Sequence, residues 1–137
     1  MKKILVAVDG SSFSERVFEY ALEEAEDLDN ELTILRVVPS FTYGEEEPSK
    51  GSQGEIESAE KFVGKLKSKA KDQGVDVDTE VISGMDISLT IINYAKENDF
   101  DLIVVGGHGK SDLGTIHLGS VAEGIVKRAP CSVLVVH

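Results

Sequence analysis

The stretch DLIVVGGHGKS, from Asp101 to Ser111, and the shorter LGSV, from Leu118 to Val121, decide how this chain is interpreted. The first stretch starts with an apolar run of strand length and then breaks into a glycine-rich turn. The second places a glycine and a hydroxyl group where the next helix should begin. Together they predict a buried strand, a glycine-rich loop and a helix start.

Three glycines of the first stretch, Gly106, Gly107 and Gly109, lack a Cβ atom, so the main chain there can adopt positive φ and let a ligand approach closely. Consecutive amide N–H groups in such a turn can bind a phosphate. Gly119 and Ser120 would add the free N–H groups, the positive dipole end and the hydroxyl of a helix start, which suit a second phosphate. The pattern therefore predicts a site for a polyphosphate.

Two common phosphate-binding motifs come close to this sequence but do not fit it. A Walker loop requires a glycine five residues before the triplet at 109–111, and that position is Val104, inside the predicted strand. The dinucleotide pattern G-x-G-x-x-G, started at Gly107, places Asp112 where its last glycine belongs. That pattern would also have to follow the first strand rather than a late one.

The spacing that does fit is G-x2-G-x9-G-S, formed by Gly106, Gly109, Gly119 and Ser120. This pattern resembles the ATP-binding signature of the universal stress protein family. The segment 3–11 is similar to that family's first strand and turn, and the residues from 118 to 136 are similar to its closing segment. The resemblance covers essentially the whole chain, and its C-terminal third is the most specific part.

The resemblance implies an adenine nucleotide alpha hydrolase-like fold that binds ATP with Mg or Mn, with AMP or ADP as other occupants. It implies that the adenine lies against Ala7, Val8 and Val37. Asp9 either contacts the ribose hydroxyls or the metal, or only caps the first helix. His108 would have a positional role rather than a catalytic one, and no catalytic residue is expected. The other positions that the family pattern places at the phosphates are Gly106, Gly107, Gly109, Lys110, Ser111, Gly119, Ser120 and Val121.

The length of 137 residues and the hydrophobic content of 41% are those of one compact domain over 1–137. No apolar run approaches the ~20 residues of a membrane span, so we expect a cytoplasmic protein without a membrane partner. A net charge of −11 should repel nucleic acid. The same field opposes ATP unless it is compensated, so we expect a divalent cation, with Lys110 as the nearest fixed positive charge.

Apolar periodicity predicts five strands alternating with four helices. The predicted strands span 2–8, 31–38 and 75–81, followed by a fourth that ends at Gly106 and a fifth that ends at Val136. The second helix should begin at Ile56 and the last should span 119–127. This order predicts a single-domain α/β fold, a doubly wound parallel sheet of strand order 3-2-1-4-5 with helices on both faces. Its switch point, where such folds bind ligands, would bring Asp9 close to Gly106.

Two further segments carry expectations. Residues 40–55 are rich in Gly, Glu and Ser without periodicity, which predicts a flexible loop near the mouth of the nucleotide site. The final strand, 131–136, is nearly all apolar and would lie at a sheet edge without a protecting proline or lysine. The family resemblance implies a homodimer in which this strand pairs antiparallel with its copy.

The leading interpretation is an ATP-binding universal stress protein whose nucleotide state, rather than fast catalysis, acts on a protein partner that the sequence does not identify. Any hydrolysis should be slow, because no arginine lies in the loop and no carboxylate or glutamine is placed to orient a water. Two alternatives stay open. One is a nucleotide-free dimeric scaffold of the same family, and the other is a nucleotidyl-transfer enzyme on a similar sheet. A phosphoacceptor receiver domain fits less well, because Asp9 is a single acid after the first strand.

Overall fold

The computed structural model describes residues 2–27, 30–40, 50–107 and 118–137. Strands and helices alternate along these residues. The strands are β1 (Lys3–Val8), β2 (Glu31–Pro39), β3 (Asp78–Gly84), β4 (Leu102–Gly106) and β5 (Ser132–Val136). The helices are α1 (Ser12–Asp27), α2 (Lys50–Asp72), α3 (Ile87–Glu97) and α4 (Ser120–Arg128).

The sheet has five parallel strands in the order β3-β2-β1-β4-β5. β1 is central, and its Ile4 lies opposite Leu32 of β2 on one side and Leu102 of β4 on the other. The chain therefore winds outward from β1 through β2 to β3 and then returns to β4. This arrangement confirms the predicted doubly wound sheet, with its switch point between β1 and β4.

Both faces of the sheet are covered by helices, because successive side chains of the buried strands point to opposite faces. On one face, Ile4 and Val6 of β1 pack against Val17 and Phe18 of α1 and against Leu66 of α2. On the other face, the intervening residues of the same strands pack against α3 and α4. None of the helices in the described part of the chain has the length and apolar character required to cross a bilayer.

The second helix begins at Lys50 rather than at Ile56 as predicted, so 50–55 is helix and not loop. Its first turns contain Gly51 and Gly54 and have no apolar face, and apolar periodicity cannot detect them. Extending an existing helix costs far less than nucleating one, so the amphipathic part after Ile56 can carry such residues. The rest of the predicted loop, at 41–49, lies outside the described residues.

The third strand spans Asp78–Gly84, three residues later than predicted, although it lies at the predicted sheet edge. Val75 and Val77 pack into the core, although the chain at these residues is not yet paired with β2. The N–H of Val75 donates to the carbonyl of Ala70 at the end of α2, 2.9 Å away, and β2 pairing begins only at Asp78. The alternation of valines thus reports burial and not strand pairing.

The start of α3 is held by a side-chain cap. Asp86 is the N-cap, and its carboxylate accepts hydrogen bonds from the N–H of Leu89 at 3.1 Å and the hydroxyl of Ser88 at 3.0 Å. Immediately before it, a Cβ added to Gly84 would lie 2.1 Å from Oγ1 of Thr90. Only a glycine therefore allows α3 to turn back this closely over the end of β3.

We expect Phe18→Ala to lower the free energy of unfolding by about 3 to 5 kcal/mol, because the ring is only 1% exposed and its removal leaves a cavity under α1. Urea denaturation measures the change. Tyr20→Ala is the control on the same helix, since Tyr20 is 45% exposed and its loss should cost less than about 1 kcal/mol. Equal losses in the two variants would contradict the assignment of the core.

Candidate functional site

A cavity of about 590 Å³ opens at the carboxyl ends of the central strands. It lies over the switch point, because β1 and β4 both contribute their last residues and β2 contributes Arg36 and Pro39. Side chains from all four helices complete the walls. This is the position at which open parallel sheets bind ligands.

The structure brings together seven of the residues predicted for the site, and all of them line this cavity: Ala7, Val8, Asp9, Gly106, Gly119, Ser120 and Val121. Val37 does not line it, because its side chain is 2% exposed and belongs to the core under α3 and α4. Gly107 is buried and does not line the cavity; its N–H donates to the carbonyl of Val136 in β5, and its carbonyl accepts from the N–H of Gly119. His108, Gly109, Lys110 and Ser111 lie outside the described residues.

Asp9 is the most extensively hydrogen-bonded acid of the cavity. Its Oδ1 accepts hydrogen bonds from the N–H of Ser11 at 2.9 Å, the hydroxyl of Ser11 at 2.6 Å and the hydroxyl of Ser14 at 2.7 Å. Ser14 Oγ also accepts from the N–H of Asp9 at 3.0 Å. The turn between them requires Gly10, whose φ is +81°. Asp9 thus holds the start of α1, and no described residue donates to its Oδ2, which is left for a ligand.

The Asp9 carboxyl is held in its charged form. Burial alone would raise its pKa, but the hydrogen bonds from Ser11 and Ser14 and the positive charge of Arg36 outweigh burial, so the pKa lies below its ordinary value of 3.8. The site therefore contains a fixed negative charge at neutral pH, directly beside the end of β1.

Arg36 lines the cavity, although the sequence-based prediction did not include it among the site residues. It lies opposite Val8 in the sheet and is half-buried at the cavity wall, where its guanidinium donates to the carbonyl of Val37. Burial lowers the pKa of Arg36, and the negative charges of Asp9 and Glu55 oppose that shift. The signal was present in the sequence, because Arg36 is the one charged residue between Leu32 and Val38, in a strand that is otherwise buried.

The glycines at the end of β4 are favoured by close packing and not by the backbone conformation that was predicted. Positive φ was expected at Gly106 and Gly107, but among the described glycines only Gly10 and Gly74 have it. A Cβ on Gly106 would lie 3.0 Å from the Phe13 ring, and one on Gly107 would lie 2.9 Å from the ring of His137. These glycines let neighbouring segments approach the strand end, so the constraint is space and not backbone conformation.

The start of α4 points its free amide groups at the cavity. Gly119 is the N-cap, with φ of −64°, and it provides no side-chain cap. Its N–H donates to the carbonyl of Gly107, 2.8 Å away, which holds the helix start against the end of β4. Since the first N–H groups of a helix have no partner within it, those of Ser120 and Val121 are available to an anion.

Apolar side chains that the sequence did not single out form most of the remaining wall. Phe13 and Phe62 lie on the side of α1 and α2, and Ile87 and Ile91 lie on the side of α3. All four occupy helix positions that apolar periodicity assigns to a core face, so nothing in the local pattern separates a cavity wall from a packed core. A flat apolar group fits between such walls.

The described residues contain no group of three or more His, Cys, Asp or Glu side chains arranged to hold a metal ion. Asp9 and Glu55 are the two acids among the cavity residues. Mg²⁺ is usually held by one or two carboxylates together with substrate phosphates and water. The described part of the site therefore suits a cation that arrives with a phosphate ligand, and not one held by protein groups alone.

Comparison with known proteins agrees with this architecture. A sequence model described as the universal stress protein family matches residues 1–137. A universal stress protein of Methanocaldococcus jannaschii is 36% identical over 140 residues, which cover 98% of this chain and 81% of the relative. The structure of the universal stress protein UspA from Lactobacillus plantarum superimposes with a TM-score of 0.89 at 28% identity, covering 99% of this chain and 97% of the other.

The chain belongs to the universal stress protein family, and its sheet has the adenine nucleotide alpha hydrolase-like fold of that family's structures. Two more distant structures share the fold and contain nucleotides. One is the universal stress protein from Archaeoglobus fulgidus in complex with dAMP, with a TM-score of 0.77 at 23% identity, covering 100% of this chain and 98% of the other. The other is a family protein from Arabidopsis thaliana with AMP bound, with a TM-score of 0.71 at 22% identity, covering 99% and 91%.

We expect Asp9→Asn to destabilise the protein at neutral pH and to matter progressively less in acid. Because folding lowers the pKa of Asp9, the carboxylate stabilises the fold fully above the ordinary aspartate value and loses this contribution as the pH falls through the lowered pKa. Urea unfolding at several pH values measures the difference between the variant and the original chain.

The matched control for this measurement is Asp76→Asn, at an exposed acid without a hydrogen bond to a described residue. It should change the free energy of unfolding little at neutral pH. The assignment fails if Asp9→Asn is neutral at pH 7, or if the difference from the original chain grows rather than shrinks as the pH is lowered.

Proposed function

We propose that this chain is a cytoplasmic ATP-binding universal stress protein, a regulatory switch whose nucleotide state is passed to a protein partner. The observation that carries the proposal is the convergence of Asp9, Gly106 and the uncapped start of α4 on one cavity of about 590 Å³. A volume of this size is within the range of pockets for small ligands. Two proteins that share the fold, one with AMP bound and one in complex with dAMP, support an adenine nucleotide as the ligand.

The cavity offers complementary groups for each part of such a nucleotide. Ala7 and Val8, together with the apolar walls, suit the flat adenine ring. The open Oδ2 of Asp9 suits a ribose hydroxyl, which can donate a hydrogen bond to a carboxylate. The N–H groups and hydroxyl at Ser120, beside the space kept open by Gly106, suit the phosphates.

A divalent cation, Mg or Mn, would accompany the phosphates. Arg36 is the one basic residue among the described residues of the cavity, and it already faces Asp9 and Glu55. ATP would bring further negative charge into a chain whose net charge is −11. A cation bound mainly by the phosphates, with Asp9 as the available carboxylate, would neutralise part of that charge.

Fast hydrolysis is not expected from the described part of the site. The Asp9 oxygen Oδ1 is committed to Ser11 and Ser14, so this acid is poorly placed to orient an attacking water. The guanidinium of Arg36 is already engaged, because it donates to the carbonyl of Val37 within β2. Slow turnover fits a protein in which the bound nucleotide is a signal.

We expect Gly119→Val to abolish binding of ATP with Mg²⁺, because a branched side chain at the N-cap would occupy the space in front of the α4 amides. Ser120→Ala keeps those amides and removes one hydroxyl, so it should weaken binding by about 1 to 2 kcal/mol. Isothermal titration calorimetry measures both affinities.

Gly64→Val is the matched control, since no atom lies within 4 Å of a Cβ at Gly64 on the exposed side of α2. It should leave the affinity unchanged. If the unaltered protein binds neither ATP nor AMP, the proposal fails and the nucleotide-free scaffold is favoured. If Gly119→Val binds as well as the control, the phosphate position is wrong.

We also propose that β5 is the interface of a homodimer. It is an edge strand, and three of its five residues, Val133, Leu134 and Val135, are only partly buried within the single chain. Antiparallel pairing with a second copy would satisfy the free row of backbone groups and cover these side chains. A two-fold axis through the paired strands would make the interface self-complementary.

Val135→Lys should therefore give a monomer, because it places a charge in the paired strand. Light scattering coupled to size-exclusion chromatography measures the mass, and circular dichroism checks that the variant is folded. Val126→Lys on α4 is the control, since Val126 is 49% exposed and is not part of β5. An unaltered protein that is monomeric at tens of micromolar would contradict the interface.

A further inference from the structure

A second cavity, of about 370 Å³, lies at the opposite edge of the sheet, where the strands begin. Residues at the starts of three strands line it, and the end of α3 forms its other wall. The pairing register places Lys3 beside Glu31, and Thr33 beside Asp78. Since alternate residues of a strand share a face, Glu80 lies on this face as well.

The chemistry of this cavity is opposite to that of the nucleotide site. Glu31, Asp78 and Glu80 are exposed carboxylates that line it, and none of them forms an ion pair with a described residue. Lys3 is the one basic residue in the lining, and its ammonium group donates to the carbonyl of Asn98. Like charges on one face of neighbouring strands repel each other, so this arrangement costs stability unless a cation binds there.

Thr33 gives an independent indication of a ligand. Its side chain lies in the cavity wall and the residue is 9% exposed, yet its hydroxyl has no hydrogen-bond partner among the described residues. A buried hydroxyl without a partner is uncommon, because it loses its hydrogen bonds to water and gains none in return. A donor that enters the cavity would satisfy it.

The opposite wall shows how a cation would be held. Tyr94 and Phe100 are stacked with ring centroids 5.8 Å apart. The ammonium group of Lys3 already lies 4.8 Å from the centroid of Phe100. Burial raises the pKa of the Tyr94 hydroxyl, and the negative charges of Glu80 and Asp78 raise it further. Aromatic faces and carboxylates together are the groups that recognise organic ammonium ions.

We propose that this cavity binds a small organic polycation with several separated ammonium groups, of the polyamine class. A single metal ion does not fit, because the described residues contain no set of three acids that converge on one point. The carboxylates of Glu31, Asp78 and Glu80 are spread over two neighbouring strands, which matches charges spread along a chain. The hydroxyl of Thr33 accepts from one ammonium group, and the ring of Tyr94 lies against the alkyl linker.

The test is calorimetric titration of the full chain with spermidine at 150 mM salt. We expect saturable binding of one molecule per chain, weakened at least ten-fold in the double variant Asp78→Asn with Glu80→Gln. Glu57→Gln with Glu60→Gln is the matched control, because it removes the same charge from exposed positions of α2. The control should bind within two-fold of the original chain.

Thr33→Val tests the hydroxyl separately. Without spermidine it should unfold at the same or a higher urea concentration than the original chain, because no protein hydrogen bond is lost, and it should bind spermidine several-fold more weakly. The proposal is overturned if spermidine does not saturate, if both double variants lose affinity equally, or if Mg²⁺ displaces spermidine at equal concentration. A Thr33→Val variant that is destabilised would show that the hydroxyl has a protein partner, which also overturns it.

Discussion

Backbone pairing of β1 with β2 on one side and β4 on the other buries the centre of the sheet completely, and the side chains of Leu5 and Val6 have no exposed surface. Because both faces of β1 are buried, helices must cover both, and the chain must cross from one side of the sheet to the other. The chain therefore leaves β1 and β4 toward opposite faces of the sheet, and the cavity forms between these two exits. Core and site thus depend on the same strand.

The described charges of the main cavity offset each other only in part, because two acids, Asp9 and Glu55, share one basic residue, Arg36. Asp9 is ionised by its serine hydrogen bonds, and Arg36 faces both Asp9 and Glu55 across the same space. A phosphate ligand would add negative charge to this cavity in a chain of net charge −11, unless the start of α4 and a cation share the added charge. The site is therefore suited to a ligand that carries its own cation, as in the proposed function.

The two proposed sites use opposite edges of one parallel sheet. At the carboxyl edge, helix starts supply N–H groups, and backbone dipoles favour anions. At the amino edge, β2 begins at Glu31 and β3 begins at Asp78, so both strands start with a carboxylate. The end of α3 adds carbonyl oxygens, such as that of Asn98, which already accepts a hydrogen bond from Lys3. The direction of the strands thus separates an anion site from a cation site.

Local sequence determined the number and order of the strands, although not the bounds of β3, and it determined that Asp9 and Gly106 lie at the same switch point. Apolar periodicity and glycine spacing are properties of neighbouring residues, and a parallel sheet brings strand ends together. Tertiary structure alone decided that Arg36 faces the cavity while Val37 turns into the core, since one residue of register exchanges the two faces. It also decided why a glycine suits position 106. A Cβ there would lie only 3.0 Å from the ring of Phe13, 93 residues away in the chain, and no local pattern reports such a contact.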